Sequence, residues 1–139
     1  MTDNKTPWRQ GYIQVYTGNG KGKTSAALGL ALRAAGAGLN IYIAQFVKGM
    51  KYSELEALKR FPEITLEQFG RDCFIHKQPE KEDISLAIQG LNRAKEALTS
   101  GRYQLVILDE ANIATYFKLF SVEELLQVMR QKPQDVELV

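Results

Sequence analysis

Apolar and polar residues follow one another along this chain in blocks that predict strands separated by helices. The runs at 40–46 and 105–108 are almost entirely apolar, which is typical of strands covered on both faces of a sheet. The run 12–16 predicts an earlier strand, 64–69 predicts an amphipathic one, and 136–139 has the pattern of another strand just beginning. The sequence therefore predicts a sheet of several strands, of which the central ones are buried.

Helical periodicity fills the segments between these strands. It is clearest over 83–101, where six apolar residues share one face: Ile84, Ala87, Ile88, Leu91, Ala94 and Leu98. A first helix is predicted over 24–35, and Ser-x-x-Glu capping boxes at 53–56 and 121–124 predict the starts of two shorter helices. Alternating strands and helices predict a three-layer α/β fold with a mainly parallel sheet, whose ligands bind at the carboxyl ends of the strands.

Size and composition narrow the class of protein. With 139 residues, 45% of them hydrophobic and 24% charged, we expect a single globular domain over 11–139, preceded by a polar, mobile arm over 1–10. The arm lacks the apolar core of a signal peptide, and no run approaches the roughly 18 apolar residues of a membrane span.

A net charge of +2 gives no support for a nucleic-acid partner. The single cysteine, Cys73, cannot form an internal disulfide, so we expect a cytoplasmic protein. We expect the only histidine, His76, to be an exposed loop residue.

One glycine-rich stretch has the composition of a phosphate-binding loop. It reads Thr17-Gly18-Asn19-Gly20-Lys21-Gly22-Lys23-Thr24-Ser25 and lies between a predicted strand and a predicted helix. It matches the end of the pattern G-x-x-x-x-G-K-[ST], although Thr17 replaces the first glycine. Amide groups at the helix start favour an anion, Lys23 reaches the outer phosphates, and the Thr24 hydroxyl suits a phosphate-bound Mg²⁺. Lys21 is an additional cation, which either serves a ligand more anionic than a diphosphate or is simply solvated at the loop rim.

Two acids follow the apolar run at 105–108. Asp109-Glu110 in this position has the form of a Walker B strand, whose acid holds Mg²⁺ directly or through water. We therefore expect Thr24 and Asp109 to hold Mg²⁺. Glu110 is a second metal contact, a base for water, or the carboxylate that orders the following turn. The residues alone predict a P-loop NTPase-like protein that binds MgATP, and ATP is favoured over GTP because no guanine-reading Asn-Lys-x-Asp stretch is present.

Four stretches resemble the P-loop ATP:corrinoid adenosyltransferases, which act on cob(I)alamin or cob(I)yrinic acid a,c-diamide. They are the segment from Gly11 through the phosphate loop to Thr24, Ala31-Leu32-Arg33-Ala34-Ala35-Gly36-x-Gly38, Gln45-Phe46-Val47-Lys48-Gly49 and Leu108-Asp109-Glu110-x-Asn112. The resemblance runs from about Gly11 to the last residue. The loop Thr-Gly-Asn-Gly-Lys-Gly-Lys-Thr is specific to that family among P-loop proteins, and this accounts for Thr17.

The resemblance implies an activity and its participants. In that family the Co(I) of a corrinoid attacks C5′ of ATP, and inorganic triphosphate leaves. The resemblance implies that residues of the 17–25 loop bind ATP and that Lys21, Lys23 and Glu110 are catalytic, with the lysines stabilising the leaving triphosphate. It also implies a homodimer and a reductase that supplies Co(I).

A second implied binding element is the polar loop over 70–77, which would lie on the corrinoid side. The family often carries Gly-Phe-x-Trp there, with aromatic rings that displace the lower axial ligand of cobalt. This chain has Cys73-Phe74-Ile75-His76 instead. Phe74 is therefore the expected corrinoid contact, and the tryptophan is not conserved in this sequence.

The family pattern also includes C-terminal segments that this sequence does not contain. Family members continue past the position of Val139 through a Thr-Gly-Arg turn and a further helix, so we expect a fold truncated at its C-terminus and lacking an arginine near the phosphates. The chain is then a truncated product or a shortened member with reduced activity. Two alternatives to adenosyl transfer stay open: a carrier that binds MgATP and corrinoid with little turnover, and an ATP hydrolase or kinase of the P-loop class.

Overall fold

The computed structural model describes residues 10–50, 52–72, 75 and 78–139 of the chain. This part of the chain contains the strands β1 (Ile41–Phe46), β2 (Ile64–Phe69), β3 (Leu105–Asp109) and β4 (Glu137–Leu138). It contains the helices α1 (Lys23–Gly36), α2 (Ser53–Leu58), α3 (Lys81–Thr99), α4 (Ala111–Tyr116) and α5 (Val122–Met129). Among the described helices, none combines the length and the apolar character that crossing a membrane requires.

The strands form one sheet in the order β2-β1-β3-β4, and each neighbouring pair is parallel. Ile41 at the start of β1 lies opposite Ile64 of β2 and Leu105 of β3. At the other end of β1, Gln45 lies opposite Asp109. This arrangement confirms the predicted α/β fold with a mainly parallel sheet, and it brings the carboxyl ends of β1 and β3 to one edge.

Buried side chains alternate between two cores, one on each face of the sheet. The first core contains Ile41 and Ile43 of β1 together with four alanines of α1: Ala27, Ala31, Ala34 and Ala35. The second contains Tyr42, Ala44 and Phe46 of the same strand together with residues of α3 and α5. Every residue of β1 is buried, as its nearly continuous apolar run predicts, and the predicted three layers are confirmed.

The strand predicted at 12–16 is wrong as a regular strand. Within this segment only Ile13 forms a bridge, which is parallel and pairs it with Leu138 of β4. The Gln14 N–H donates to the Leu138 carbonyl at 2.8 Å, and the Leu138 N–H donates to the Tyr12 carbonyl at 2.9 Å. The segment therefore pairs with β4 through one bridge and not through a regular ladder.

The predicted helix starts have different outcomes. At α5 the capping box is confirmed, since the Glu124 N–H donates to Ser121 Oγ and the Ser121 N–H donates to Glu124 Oε1, both at 3.0 Å. At α2 the capping box is wrong, because Ser53 is already the first helical residue and the position before it is the N-cap. The turn expected after Glu110 is in fact α4.

Helix α3 lies close to the sheet because residue 90 is a glycine. A β-carbon at Gly90 would stand 2.6 Å from Cγ of Phe69 and 2.8 Å from Cε1 of Phe46. Carbon atoms in contact are normally about 3.5–4.0 Å apart. The two rings, with centroids 6.2 Å apart, belong to the last residues of β2 and β1. The missing side chain therefore sets the distance between α3 and the strand ends.

We expect Gly90→Ala to lower the free energy of unfolding by about 1–3 kcal/mol, because the added methyl group overpacks this interface. Gly29→Ala is the matched control. Gly29 is exposed in α1 and an added β-carbon meets nothing within 4 Å, so this replacement should stabilise the protein by about 0.5–1 kcal/mol. Urea unfolding followed by circular dichroism measures both variants. Similar effects of the two replacements would contradict the close packing of α3.

Candidate active site

The phosphate-loop sequence forms an exposed turn that leads directly into α1. Gly22 is the N-cap residue with a φ of 102°, and Gly18 has a φ of 130°. Residues with a β-carbon rarely adopt these angles, so the turn depends on the two glycines. The first amide groups of α1 have no partner within the helix and favour an anion at its N-terminus. The geometry of the loop is therefore suited to phosphate.

The Lys23 side chain folds back onto this turn. Its ammonium nitrogen donates to the carbonyl of Gly18 at 2.7 Å and to the carbonyl of Gly20 at 2.6 Å. These two bonds place the positive charge at the mouth of the loop, where a phosphate oxygen can take the place of a carbonyl partner. Lys21 is exposed, and neither a hydrogen bond nor an ion pair joins its side chain to any other described residue.

Thr24 connects the phosphate loop to the end of β3. Its hydroxyl donates to Asp109 Oδ1 at 2.8 Å. Lys48 completes the cluster, since its Nζ donates to Asp109 Oδ2 at 2.8 Å and to Thr24 Oγ1 at 3.1 Å. The side chain of Asp109 is only 7% exposed and that of Lys48 is 19% exposed, so water screens this ion pair weakly. Three segments of the chain therefore meet at one carboxylate.

Two glutamine side chains hold Asp109 from behind. Gln45, which is fully buried, donates from Nε2 to Asp109 Oδ2 at 3.3 Å. Its own Oε1 accepts from Gln68 Nε2 at 3.2 Å, and the same Gln68 group donates to the Met50 carbonyl at 2.9 Å. This chain of amides links the ends of β1, β2 and β3. It fixes the carboxylate in one orientation.

Both strands that end at this cluster turn through a left-handed residue. Val47 follows β1 with a φ of 67°, and Glu110 follows β3 with a φ of 65°. The left-handed conformation costs about 1–2 kcal/mol for a residue with a β-carbon. After these turns the Lys48 ammonium lies 3.9 Å from Glu110 Oε1. Backbone strain of this kind is concentrated at functional sites, which supports a function for the cluster.

The loop after β1 is packed directly on the end of β2. A β-carbon at Gly70 would collide with the backbone of Val47 and Lys48, and one at Gly49 would collide with the backbone of Gly70 and Arg71. The two loops therefore touch through their main chains. This contact fixes the position of the Lys48 backbone.

Arg71 fastens the same segment to the start of α3. Its Nε and Nη2 donate to the two carboxylate oxygens of Asp83 at 2.6 and 2.9 Å, and the Glu80 N–H donates to Asp83 Oδ2 at 2.7 Å. Burial alone would raise the pKa of Asp83. The hydrogen bonds from Arg71 and Glu80, with the charge of Arg71, outweigh burial and hold that pKa below its ordinary value.

Two cavities adjoin the cluster. The first, of about 350 Å³, lies between the phosphate loop and the end of β3, and Lys23 and Asp109 are among its lining residues. The second, of about 360 Å³, lies beside the loop after β1 and is lined in part by Lys48. Glu110 and Ile113 line both cavities. The two cavities therefore share part of their wall.

The oxygen atoms of this cluster fit a magnesium ion. In nucleotide sites Mg²⁺ is bound by one or two protein oxygens together with substrate phosphates. Thr24 Oγ1 and the Asp109 carboxylate supply such oxygens 2.8 Å apart, directly after the phosphate loop. No group of three or more His, Cys, Asp or Glu residues suited to a metal is found in the described residues. Water molecules or the phosphates of a nucleotide would therefore complete the coordination.

The structure brings together some of the residues that the sequence singles out. Thr24 and Asp109 are in contact, and Lys23 and Glu110 line the same cavity. Lys21 lies apart on the exposed rim, and Phe74 is outside the described residues. The functional assignments of all these residues stay predictions.

Sequence reasoning missed the roles of Lys48 and Gln45. Both lie in a stretch that the family resemblance includes, but no local spacing pattern relates them to Asp109, which follows more than 60 residues later. The available signal was topological. Residues at the ends of adjacent parallel strands meet at one edge, so polar residues at the end of β1 were candidates to meet Asp109.

The chain is similar to a known protein family and to several characterised and uncharacterised proteins. The model of the family described as ATP:corrinoid adenosyltransferase BtuR/CobO/CobP matches residues 9–139. A corrinoid adenosyltransferase of Pseudomonas aeruginosa is 33% identical over 126 residues, which cover 89% of this chain and 62% of that protein. A corrinoid adenosyltransferase of Escherichia coli K12 is 28% identical over 130 residues, which cover 94% of this chain and 66% of that protein.

A third relative has no assigned function. The uncharacterized protein all2391 of Nostoc sp. is 39% identical over 140 residues, which cover 91% of this chain and 37% of that protein. The chain thus spans less than two thirds of the length of each of these three relatives.

Asp83 gives the protein a dependence of stability on pH. Because its pKa in the folded protein is below its ordinary value of about 3.9, its contribution is fully present above that value and is lost as pH falls through the lowered pKa. We expect Asp83→Asn to lower the free energy of unfolding at pH 7 by about 1.5–3 kcal/mol, the range for a hydrogen bond to a charged group. The deficit should shrink below pH 4, as measured by urea unfolding across this range.

Glu123→Gln is the control for this pH dependence. Glu123 pairs with Arg130 at 2.9 Å, but both side chains are more than half exposed, so this change should alter stability by less than about 1 kcal/mol at any pH. A deficit for Asp83→Asn that is the same at pH 3 and pH 7 would show that the charge of Asp83 does not contribute.

Proposed function

Because this chain belongs to the ATP:corrinoid adenosyltransferase family, we propose that it transfers the 5′-deoxyadenosyl group of ATP to the Co(I) of a corrinoid and releases triphosphate. The observation that carries the proposal is the contact between Thr24 and Asp109 at 2.8 Å. It joins the phosphate loop and the acidic end of β3 into one site beside two adjoining cavities. A transfer between two substrates needs such a pair of neighbouring spaces.

In the proposed reaction, the electron pair of Co(I) forms a bond to C5′ of ATP. The C5′–O bond breaks, its electrons leave with the triphosphate, and the cobalt becomes Co(III). Negative charge therefore grows at the phosphate adjacent to C5′. The α1 amide groups, Lys23 and Lys21 lie around the loop that would hold the triphosphate, so they stabilise the transition state more than the bound substrate.

No step of this reaction requires removal of a proton, so the chain needs no general base. We therefore assign Glu110 a positioning role among the three that its sequence context allows. Its left-handed backbone begins α4, and its side chain lines both cavities. Glu110 thus shapes the boundary across which the adenosyl group would pass.

We further propose that Thr24 and Asp109 hold Mg²⁺ with the phosphates of ATP. When bound, Mg²⁺ supplies positive charge that neutralises the leaving triphosphate. The chain contributes the fixed oxygen ligands, since Gln45 orients the Asp109 carboxylate and α1 positions Thr24. The cavity walls would hold the two substrates in a reactive orientation, which lowers the barrier to the transfer further.

The second cavity is the proposed place for one face of the corrinoid. It is bordered by Arg71 and Ile75, which flank the segment of the chain that contains Phe74. We propose that Phe74 contacts the corrinoid there. By family membership we also propose a homodimer in the cytoplasm and a reductase that delivers the corrinoid as Co(I).

The phosphate product distinguishes this proposal from its rivals. The protein is incubated in the dark with ATP, Mg²⁺ and chemically reduced cob(I)alamin, and the phosphate products are separated by ion-exchange chromatography. Inorganic triphosphate in step with adenosylcobalamin supports the transfer. ADP or orthophosphate would instead identify a hydrolase or kinase, and tight ATP binding without any product would identify a carrier.

We expect Lys23→Ala to lower the rate of adenosylation by on the order of 10² or more, because the variant lacks a charge that stabilises the leaving triphosphate. The rate is measured as adenosylcobalamin formed from chemically reduced corrinoid. Lys59→Ala is the matched control, since Lys59 is an exposed lysine that pairs with Glu56 at 3.1 Å. Full activity of Lys23→Ala would show that the assigned role is wrong.

A further inference from the structure

The ammonium group of Lys48 lies on the oxygen atoms that are proposed to hold Mg²⁺. Its Nζ is 2.8 Å from Asp109 Oδ2 and 3.1 Å from Thr24 Oγ1, and these two oxygens belong to the two proposed metal ligands. A magnesium ion bound to the same side chains would lie about 2.1 Å from its ligand oxygens. The ammonium and the metal therefore compete for one small space.

Electrostatics makes the two arrangements exclusive. Each cation is stabilised by the same carboxylate, while the two cations repel one another at close range in a site that water reaches poorly. Repulsion between a divalent ion and an ammonium is twice that between two ammonium groups at the same distance. One cation has to leave when the other binds.

We propose that Lys48 is an exchangeable internal cation, which neutralises Asp109 and gives up this position when a divalent metal binds. The inference rests on the proposed metal site at Thr24 and Asp109. It assigns Lys48 a function in the metal-binding step itself.

The structure offers the displaced ammonium a place to go. Lys48 lines the second cavity, and its Nζ is 6.0 Å from the centroid of the Tyr52 ring on that side. An aromatic face attracts a cation within about 6 Å. Metal binding beside the phosphate loop would thus move a positive charge toward the cavity proposed for the second substrate.

Only the side chain of Lys48 has to move in this exchange. Its backbone is fixed by the left-handed turn at Val47 and by the main-chain contact with Gly70. Asp109 is fixed by Gln45. The rigid frame therefore keeps the metal ligands in place while a flexible four-carbon side chain changes position.

The test measures binding of Mn²⁺ alone, followed by electron paramagnetic resonance, without nucleotide. Lys48→Met removes the competing charge and keeps a side chain of similar length, so we expect its affinity for Mn²⁺ to rise on the order of tenfold, within the usual range of coupling between sites. Lys48→Arg keeps the charge and should bind Mn²⁺ no more tightly than the unchanged protein. Asp109→Asn should weaken binding in every background.

A second measurement uses the unchanged protein and does not depend on whether a variant folds. Amine acetylation followed by mass spectrometry reports how accessible each lysine is. Adding Mn²⁺ should increase the acetylation rate of Lys48 severalfold. Lys59, which is exposed directly after α2 and pairs with Glu56, should be acetylated at the same rate with and without Mn²⁺.

The outcomes separate failure of the inference from failure of the metal site. If Asp109→Asn weakens Mn²⁺ binding but Lys48→Met does not strengthen it and Lys48 acetylation does not change, the metal site stands and the exchange is wrong. If Asp109→Asn leaves Mn²⁺ binding unchanged, the metal site is wrong and the exchange is wrong with it. Tighter binding by Lys48→Met, or faster acetylation of Lys48 with Mn²⁺, supports the exchange.

Discussion

Parallel pairing of β1 with β3 is the constraint on which the rest of the site depends. It places Gln45 opposite Asp109, so that a buried amide and a buried carboxylate meet at the carboxyl edge of the sheet. The two chain segments that leave this edge carry Lys48 and Glu110. The hydrogen bond from Thr24 then brings the phosphate loop to the same point. If the pairing shifted by one residue, the side chains of β3 would exchange faces and Asp109 would turn away.

The interactions around Asp109 divide into rigid and adjustable parts. Gln45 and Gln68 are held between neighbouring strands, and the main chains of Gly49 and Gly70 are in close contact. Lysine side chains are long and have many rotamers, so the two lysines of the site can change partners at small cost. The site thus combines a fixed carboxylate with mobile positive charges. A polyanionic ligand can recruit such charges without deforming the fold.

Much of this fold follows from the apolar pattern. The runs at 40–46 and 105–108 predict buried strands because they are almost entirely apolar, and the stripe over 83–101 predicts α3 because its period matches a helix. The segment at 12–16 is also largely apolar but forms a single bridge, because a regular strand also needs a ladder of backbone hydrogen bonds to a neighbouring strand. The apolar pattern of a segment does not specify which strand it pairs with.

Less of the candidate site than of the fold could be predicted from the sequence. The phosphate loop and Asp109 have local signatures, since glycines precede a helix start and an acid ends an apolar strand. The contact of Lys48 with Asp109 and the left-handed turn at Glu110 have none, because both arise when distant segments are packed together. Long-range electrostatic contacts of this type depend on the register between strands, which composition and periodicity do not specify.

The single bridge at Ile13 has a consequence for the proposed binding of nucleotide. The phosphate loop is anchored on one side by the fourteen-residue α1 and on the other by a segment with few backbone bonds to β4. Such a segment opens locally at low free energy, and a ligand that holds it in place reduces its conformational entropy. Nucleotide affinity at the proposed site is therefore linked to the strength of the pairing between Ile13 and Leu138. Any change that lengthens the ladder between this segment and β4 should slow amide hydrogen exchange over 11–16 and tighten nucleotide binding together.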